Sequence, residues 1–264
     1  MKYKVFVLML LAVFVVSELS AQSVNLKQIG KANIYTRFRF AVHFNGALYS
    51  IDNTAALYKT DLSTGAYTRL GNVTYNNTKF FFNKNNRLYS IETDGSMNTI
   101  DPLSGTWSVI ASIGTWSTIE RVISVGYSFY AIENGGLFYY PTLNPRNRKQ
   151  LGESEFFNLG GLYLGDTTLC TRSGDGNLYE ISTTTGVWKK IGKKEWKYSK
   201  AGAVINDKLY TVETPSALFE TTLSDGTRKQ LDSTQFTKAS FMFADSGKLY
   251  TITSEGTLFE ISIN

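Results

Sequence analysis

The stretch Phe38–Gly71 reads FRFAVHFNGALYSIDNTAALYKTDLSTGAYTRLG. Short apolar runs alternate in it with turns: FRFAVHF, then Asn45-Gly46, then ALYSI, then Asp52 to Ala55, then LYKTDL, the tight turn Ser63-Thr64-Gly65, and AYTRLG. Gly and Asn accept the backbone angles of tight turns, while Asp and Ser bond their own backbone there, so such runs read as short antiparallel strands joined by hairpins. Four of them make one small twisted sheet.

The same stretch recurs along the chain. Its Leu48-Tyr49 pair returns as Leu88-Tyr89, Phe129-Tyr130, Leu169-Cys170, Leu209-Tyr210 and Leu249-Tyr250, at steps of 40, 41, 40, 40 and 40 residues. The tight-turn glycine returns as Gly105, Gly186 and Gly226, with Arg146 standing in for it in a repeat that also carries Pro141 and Pro145. Six four-stranded repeats of about 40 residues predict an all-β, six-bladed β-propeller. The ends predict how it closes. The chain stops at Ile261-Ser262-Ile263-Asn264, one strand short of a full repeat, and Val24 to Gly30 matches the outer-strand stretches Arg148 to Gly152 and Arg228 to Asp232. The N-terminal strand is therefore expected to complete the last blade, which removes an exposed sheet edge.

Met1 to Lys4 is basic, Val5 to Val16 is an unbroken apolar run, and Leu19-Ser20-Ala21 ends in a small residue. This is the layout of a secretory signal peptide, and the run is too short to span a bilayer as a helix. The expected organisation is a signal peptide over 1–21 and one propeller domain over 22–264. The expected location is secreted (periplasmic, cell-surface or extracellular), with no membrane insertion after cleavage. Cys170 is the only cysteine, which excludes an intrachain disulfide. The net charge of +5 is mild and its basic residues are scattered, so no nucleic-acid track is expected.

Catalytic patterns are absent. With one His (His43) and one Cys, neither a zinc site nor a Cys/His dyad assembles at useful spacing. No P-loop, nucleophile-elbow or calcium-loop spacing occurs, so no enzyme activity, metal or cofactor is expected. His43 reads as a buried or channel-lining residue of an inner strand.

Three columns of the repeat are candidates for binding. The first, in the links between blades, is aromatic throughout: Tyr35, Tyr75, Trp116, Phe156, Trp196 and Phe236. Aromatic faces at a loop stack on sugar rings, and the competing reading is that each ring wedges between adjacent blades. The second is acidic in four repeats: Asp52, Glu92, Glu133 and Glu213. These carboxylates either accept hydrogen bonds from a ligand or cap their own turns. The third, two residues after the aromatic, is mostly polar: Arg37, Asn77, Thr118, Asn158, Tyr198 and Lys238.

The run Lys27-Gln28-Ile29-Gly30, Tyr35, Phe38, Phe40 and Phe44, followed by Gly46-Ala47-Leu48-Tyr49-Ser50-Ile51, resembles the repeat of the tachylectin and tectonin lectins. The second repeat, with Tyr75, Phe80, Phe82 and Leu88 to Ile91, is similar. The resemblance implies a secreted propeller that binds glycans at repeated sites between blades. Its repeats are longer than these, and it has five blades rather than six. Two other readings stand beside it: a protein-interaction scaffold of the envelope or extracellular space, and a metal-dependent hydrolase or lactonase with its site in the channel.

Overall fold

The computed structural model describes residues 23–125, 128–153, 156, 159–164 and 169–264. The expected signal segment lies outside them, as does Asn158. The chain opens with β1 (Val24–Ile29). Blade 1 is then β2 (Phe38–Phe44), β3 (Ala47–Asp52), β4 (Leu57–Asp61) and β5 (Tyr67–Leu70). Blade 2 is β6 (Thr78–Lys84), β7 (Arg87–Glu92), β8 (Met97–Ile100) and β9 (Trp107–Ala111). Blade 3 is β10 (Ile119–Val125), β11 (Ser128–Glu133), β12 (Gly136–Tyr140) and β13 (Lys149–Leu151). Blade 4 is β14 (Leu159–Leu164), β15 (Leu169–Ser173), β16 (Leu178–Ile181) and β17 (Trp188–Ile191). Blade 5 is β18 (Ser199–Ile205), β19 (Lys208–Glu213), β20 (Ala217–Thr222) and β21 (Arg228–Asp232). Blade 6 is β22 (Ala239–Asp245), β23 (Lys248–Thr253), β24 (Leu258–Ile263) and, as its outer strand, β1.

Each sheet is antiparallel and has four strands, so the fold is a six-bladed β-propeller. Closure follows the expected register: β1 pairs with β24 from Val24 opposite Ile263 to Ile29 opposite Leu258. The core is divided among the blade junctions. Six apolar clusters form, one per junction, and each contains one ring of the aromatic column. Second-strand side chains such as Ile51, Leu88, Ile91, Phe129, Ile132 and Leu169 are buried in these clusters from both faces of the pleated strand.

The outer turns hold consecutive blades in register. Gly65, in the turn between β4 and β5, has φ +73°, and a Cβ there would lie 2.2 Å from the backbone nitrogen of Gly30 at the end of β1. Gly226 meets Gly192 in the same way, with 2.4 Å to its Cα. Backbone touches backbone at these points, so the recurring turn glycine and the recurring glycine after the outer strand are two halves of one contact. These turns therefore abut the preceding blade.

Candidate functional site

The aromatic column is buried. Tyr35, Tyr75, Trp116, Phe156, Trp196 and Phe236 are each 3% exposed or less. Each also donates its backbone N–H to the turn between the second and third strands of the preceding blade: to Gly256, Ala55, Gly95, Gly135, Gly176 and Ser216, at 2.8–3.2 Å. The rings pack beneath. Trp116 lies edge-on to Phe129 at 5.9 Å, and the Tyr75 hydroxyl donates to the Gly105 carbonyl at 2.6 Å. Tyr35 shares a hydrogen bond with Thr60, and burial pushes its phenol up to about 12. These rings do the wedge's work between blades.

The acidic column divides in two. Asp52 caps its turn, its Oδ1 accepting from the backbone of Thr54 at 2.9 Å and of Ala56 at 3.0 Å. Glu92 accepts from Ser90 Oγ at 2.5 Å and Asn98 Nδ2 at 3.0 Å. Glu133 and Glu213 are buried and ion-paired with Arg148, just before the outer strand β13, and Arg228, the first residue of the outer strand β21. Each arginine also lies over a third-strand ring, Arg148 4.6 Å from the centroid of Phe138 and Arg228 3.8 Å from that of Phe219. A buried carboxylate needs such a partner, because an uncompensated charge there is expensive. The matching separation of each Glu and Arg, 133 to 148 and 213 to 228, was a readable sign of this pairing.

On the link-bearing face, formed by the links between blades, the exposed groups include the third column and several members of one further ring of residues. Arg37, Asn77, Thr118, Tyr198 and Lys238 are exposed. Every inner strand also slips register after its first residue, which extrudes Arg39, Lys79, Glu120, Gly160, Lys200 and Ser240 at the mouth of the channel. A bulge of this kind re-aims a side chain. Arg39 reaches the carbonyls of Asn76 and Thr78 in the next blade, at 3.4 and 3.3 Å, and Lys79 reaches the Ile119 carbonyl at 2.7 Å. With Arg121, Lys197 and the Lys238–Glu255 pair, the mouth carries more basic than acidic groups. The bulges were not anticipated from sequence. Beside the mouth a pocket of about 170 Å³ lies between the inner strands of blades 4, 5 and 6, lined by Gly161, Tyr163, Ser199, Lys200, Gly202, Ser240 and Phe241 among others.

His43 lies at the other end of the channel. Its ring stacks on Phe243 at 4.8 Å, and its Nδ1 is 3.3 Å from Asp245 Oδ1. That hydrogen bond holds the Asp245 carboxyl below its ordinary value. Asn83 then donates to the His43 carbonyl at 3.5 Å and Ser124 to the Asn83 carbonyl at 2.5 Å, so a polar relay runs across blades 6, 1, 2 and 3. Cys170 is buried, which pushes its thiol up to about 12. Among the described residues no three His, Cys, Asp or Glu side chains are grouped to hold a metal.

No family model matches the chain, and no curated protein matches it by sequence. Solved structures share its architecture. A protein of unknown function from Bacteroides thetaiotaomicron VPI-5482 superposes with a TM-score of 0.59 at 14% identity, over 92% of this chain and 76% of its own. The WD40 β-propeller domain of Doa1 gives 0.58 at 10%, over 91% and 97%. A surface component of the type-IX secretion system of Porphyromonas gingivalis, PorZ, gives 0.52 at 11%, over 89% of this chain, which spans only 33% of PorZ. At such identities the likeness is one of fold alone, and the Doa1 domain is a β-propeller as this chain is.

Proposed function

We propose that the protein is a non-catalytic scaffold whose link-bearing face docks one protein partner rich in acidic side chains. One observation carries this reading. What recurs sixfold in the links is buried, and what is exposed differs from blade to blade. Six equal small-ligand sites would need repeated exposed groups. A composite surface for a single large partner needs the opposite, and Arg37, Arg39, Lys79, Arg121, Lys197 and Lys200 give that surface its sign. The basic and apolar start of the chain supports export, so the partner belongs to the envelope or the extracellular space.

Glycan binding, implied by the resemblance to tachylectins and tectonins, is the second reading. It is favoured by Tyr198, an aromatic ring 60% exposed on the same face. The test places a photo-crosslinking residue at position 198 and, separately, at Thr64 in an outer turn. The scaffold reading expects a discrete protein adduct from position 198 alone, lost when Arg39 and Lys200 are changed to Glu. No adduct, or equal adducts from both positions, counts against it. A glycan array of the wild type and Tyr198→Ala decides the second reading. Deleting Trp116 or Trp196 would decide neither, since both rings hold the core.

A further inference from the structure

The outer strands of a propeller leave one edge of each blade open, and a charged side chain on the strand is the usual protection against pairing with another chain. Five outer strands here have it: Lys27 in β1, Arg69 in β5, Lys149 in β13, Lys189 in β17 and Lys229 in β21. The sixth, β9, reads WSVIA and has none, and no charged residue occurs between Asp101 and Glu120. Its apolar side chains face water. Trp107 is 43% exposed, Val109 59% and Ile110 46%, with Leu103 at 79% and Ile113 at 75% beside them.

The exposure of Trp107 has a local cause. The same position in other blades is covered by a third-strand ring: Tyr67 stacks on Tyr58 at 4.5 Å and Trp188 meets Tyr179 at 5.3 Å, while arginines take the place in blades 3 and 5. In blade 2 the third strand offers Asn98, whose amide is turned to Glu92. A register shift between β8 and β9 leaves Ile110 as an extra residue on the open strand.

We propose that β9 is a self-association edge, pairing antiparallel with β9 of a second copy about a two-fold axis. Three arguments favour a second copy as the occupant. A strand edge meeting itself antiparallel is self-complementary, as a two-fold interface requires. In a chain of net charge +5, any other outer strand would bring its own lysines or arginines against their copies, whereas β9 brings none. The five side chains offer on the order of 500 Å² of apolar surface per chain, roughly 1,000 Å² for a pair, the lower end of what a specific interface buries. Apart from Ile113, which lies in the link from β9 to β10, this surface runs along the outer strand and not over the basic link-bearing face. Neither variant below alters a basic residue of that face, so either proposal stands without the other.

Sedimentation velocity on residues 22–264, from about 1 to 200 µM, tests it. A monomer–dimer equilibrium is expected that does not weaken as salt rises, because no charges meet at the edge. Val109→Lys, which gives β9 the protection of the other outer strands, should raise the dissociation constant at least tenfold. Trp107→Arg, the residue type at this position in blades 3 and 5, should do the same. Both positions are exposed, and a melting curve matching the wild type checks that each variant is folded. A wild type that stays monomeric throughout overturns the proposal. So does a dimer that salt dissolves, or one that both folded variants retain.

Discussion

At the scale of single residues, the links separate what a repeat needs from what a ligand would need. Trp196 is fully buried and its indole N–H has no partner among the described residues. Its value is therefore volume and apolar contact. Trp196→Ala should lower unfolding free energy by about 3–5 kcal/mol, and Trp196→Phe, the residue type at 156 and 236, by less than half of that. Denaturant melts of both variants check it, and equal losses would mean that the N–H matters after all. The recurrence of this column was legible in the sequence, but its orientation was not. A symmetric scaffold repeats its packing residues as faithfully as its contacts, so periodicity alone leaves a wedge and a binding ring indistinguishable. Burial separates them. The acidic column shows the same limit from another side, since Asp52 and Glu213 share a position yet one caps a turn and the other neutralises an arginine in the next strand but one.

At the scale of the element, the turns between third and fourth strands carry a pH dependence. Asp61 accepts from Ser63 and Thr64, and these bonds, that of the Ser63 hydroxyl foremost, pull its carboxyl down to about 2. Asp101 makes the equivalent bonds to the backbones of Leu103 and Ser104 at 2.7 and 2.9 Å, and lies low mainly through Ser104. A carboxyl held low in the folded chain adds stability above its unfolded value, near 3.9, and loses it as pH falls through the folded value. The window is thus about pH 4 down to about pH 2, and the melting temperature should drop across it. Asp61→Asn, which has no proton to take up, should melt slightly lower at neutral pH and lose less on acidification. A parallel acid curve for the variant would remove Asp61 from this role. The strands and their turn glycines could be read from Asn-Gly and Ser-Thr-Gly signals. The inner-strand bulges could not, because a run of seven such as Thr78–Lys84 is of ordinary strand length and composition whether or not one of its residues is extruded.

At the scale of the whole molecule, stability rests on closing the ring. The closure was legible because Val24 to Gly30 repeats the outer-strand pattern at a distance no hairpin explains. β1 buries Val24 and Ile29 in two different junction clusters and covers the open edge of β24. Deleting Val24 to Gly30 removes both side chains, each worth about 1.5–3 kcal/mol, and leaves six strand residues unpaired. In a chain of this size each kcal/mol moves the midpoint by about 2–4 °C, so a fall of roughly 10 °C or more is expected. Loss of mass alone and loss of closure are separable. Ser23 and Asn264 exchange two backbone hydrogen bonds, 3.2 and 3.0 Å, which is the pairing that flanks a two-residue hairpin. A permuted chain beginning at Lys31 and running from Asn264 through Asn-Gly into Ser23 to Gly30 keeps every contact of β1 while making its link to β24 local. Calorimetry should place its midpoint within a few degrees of the native chain, far above the deletion. A permuted chain as unstable as the deletion would mean that the tether from Gly30 to β2, rather than the pairing of β1 with β24, is what holds the ring.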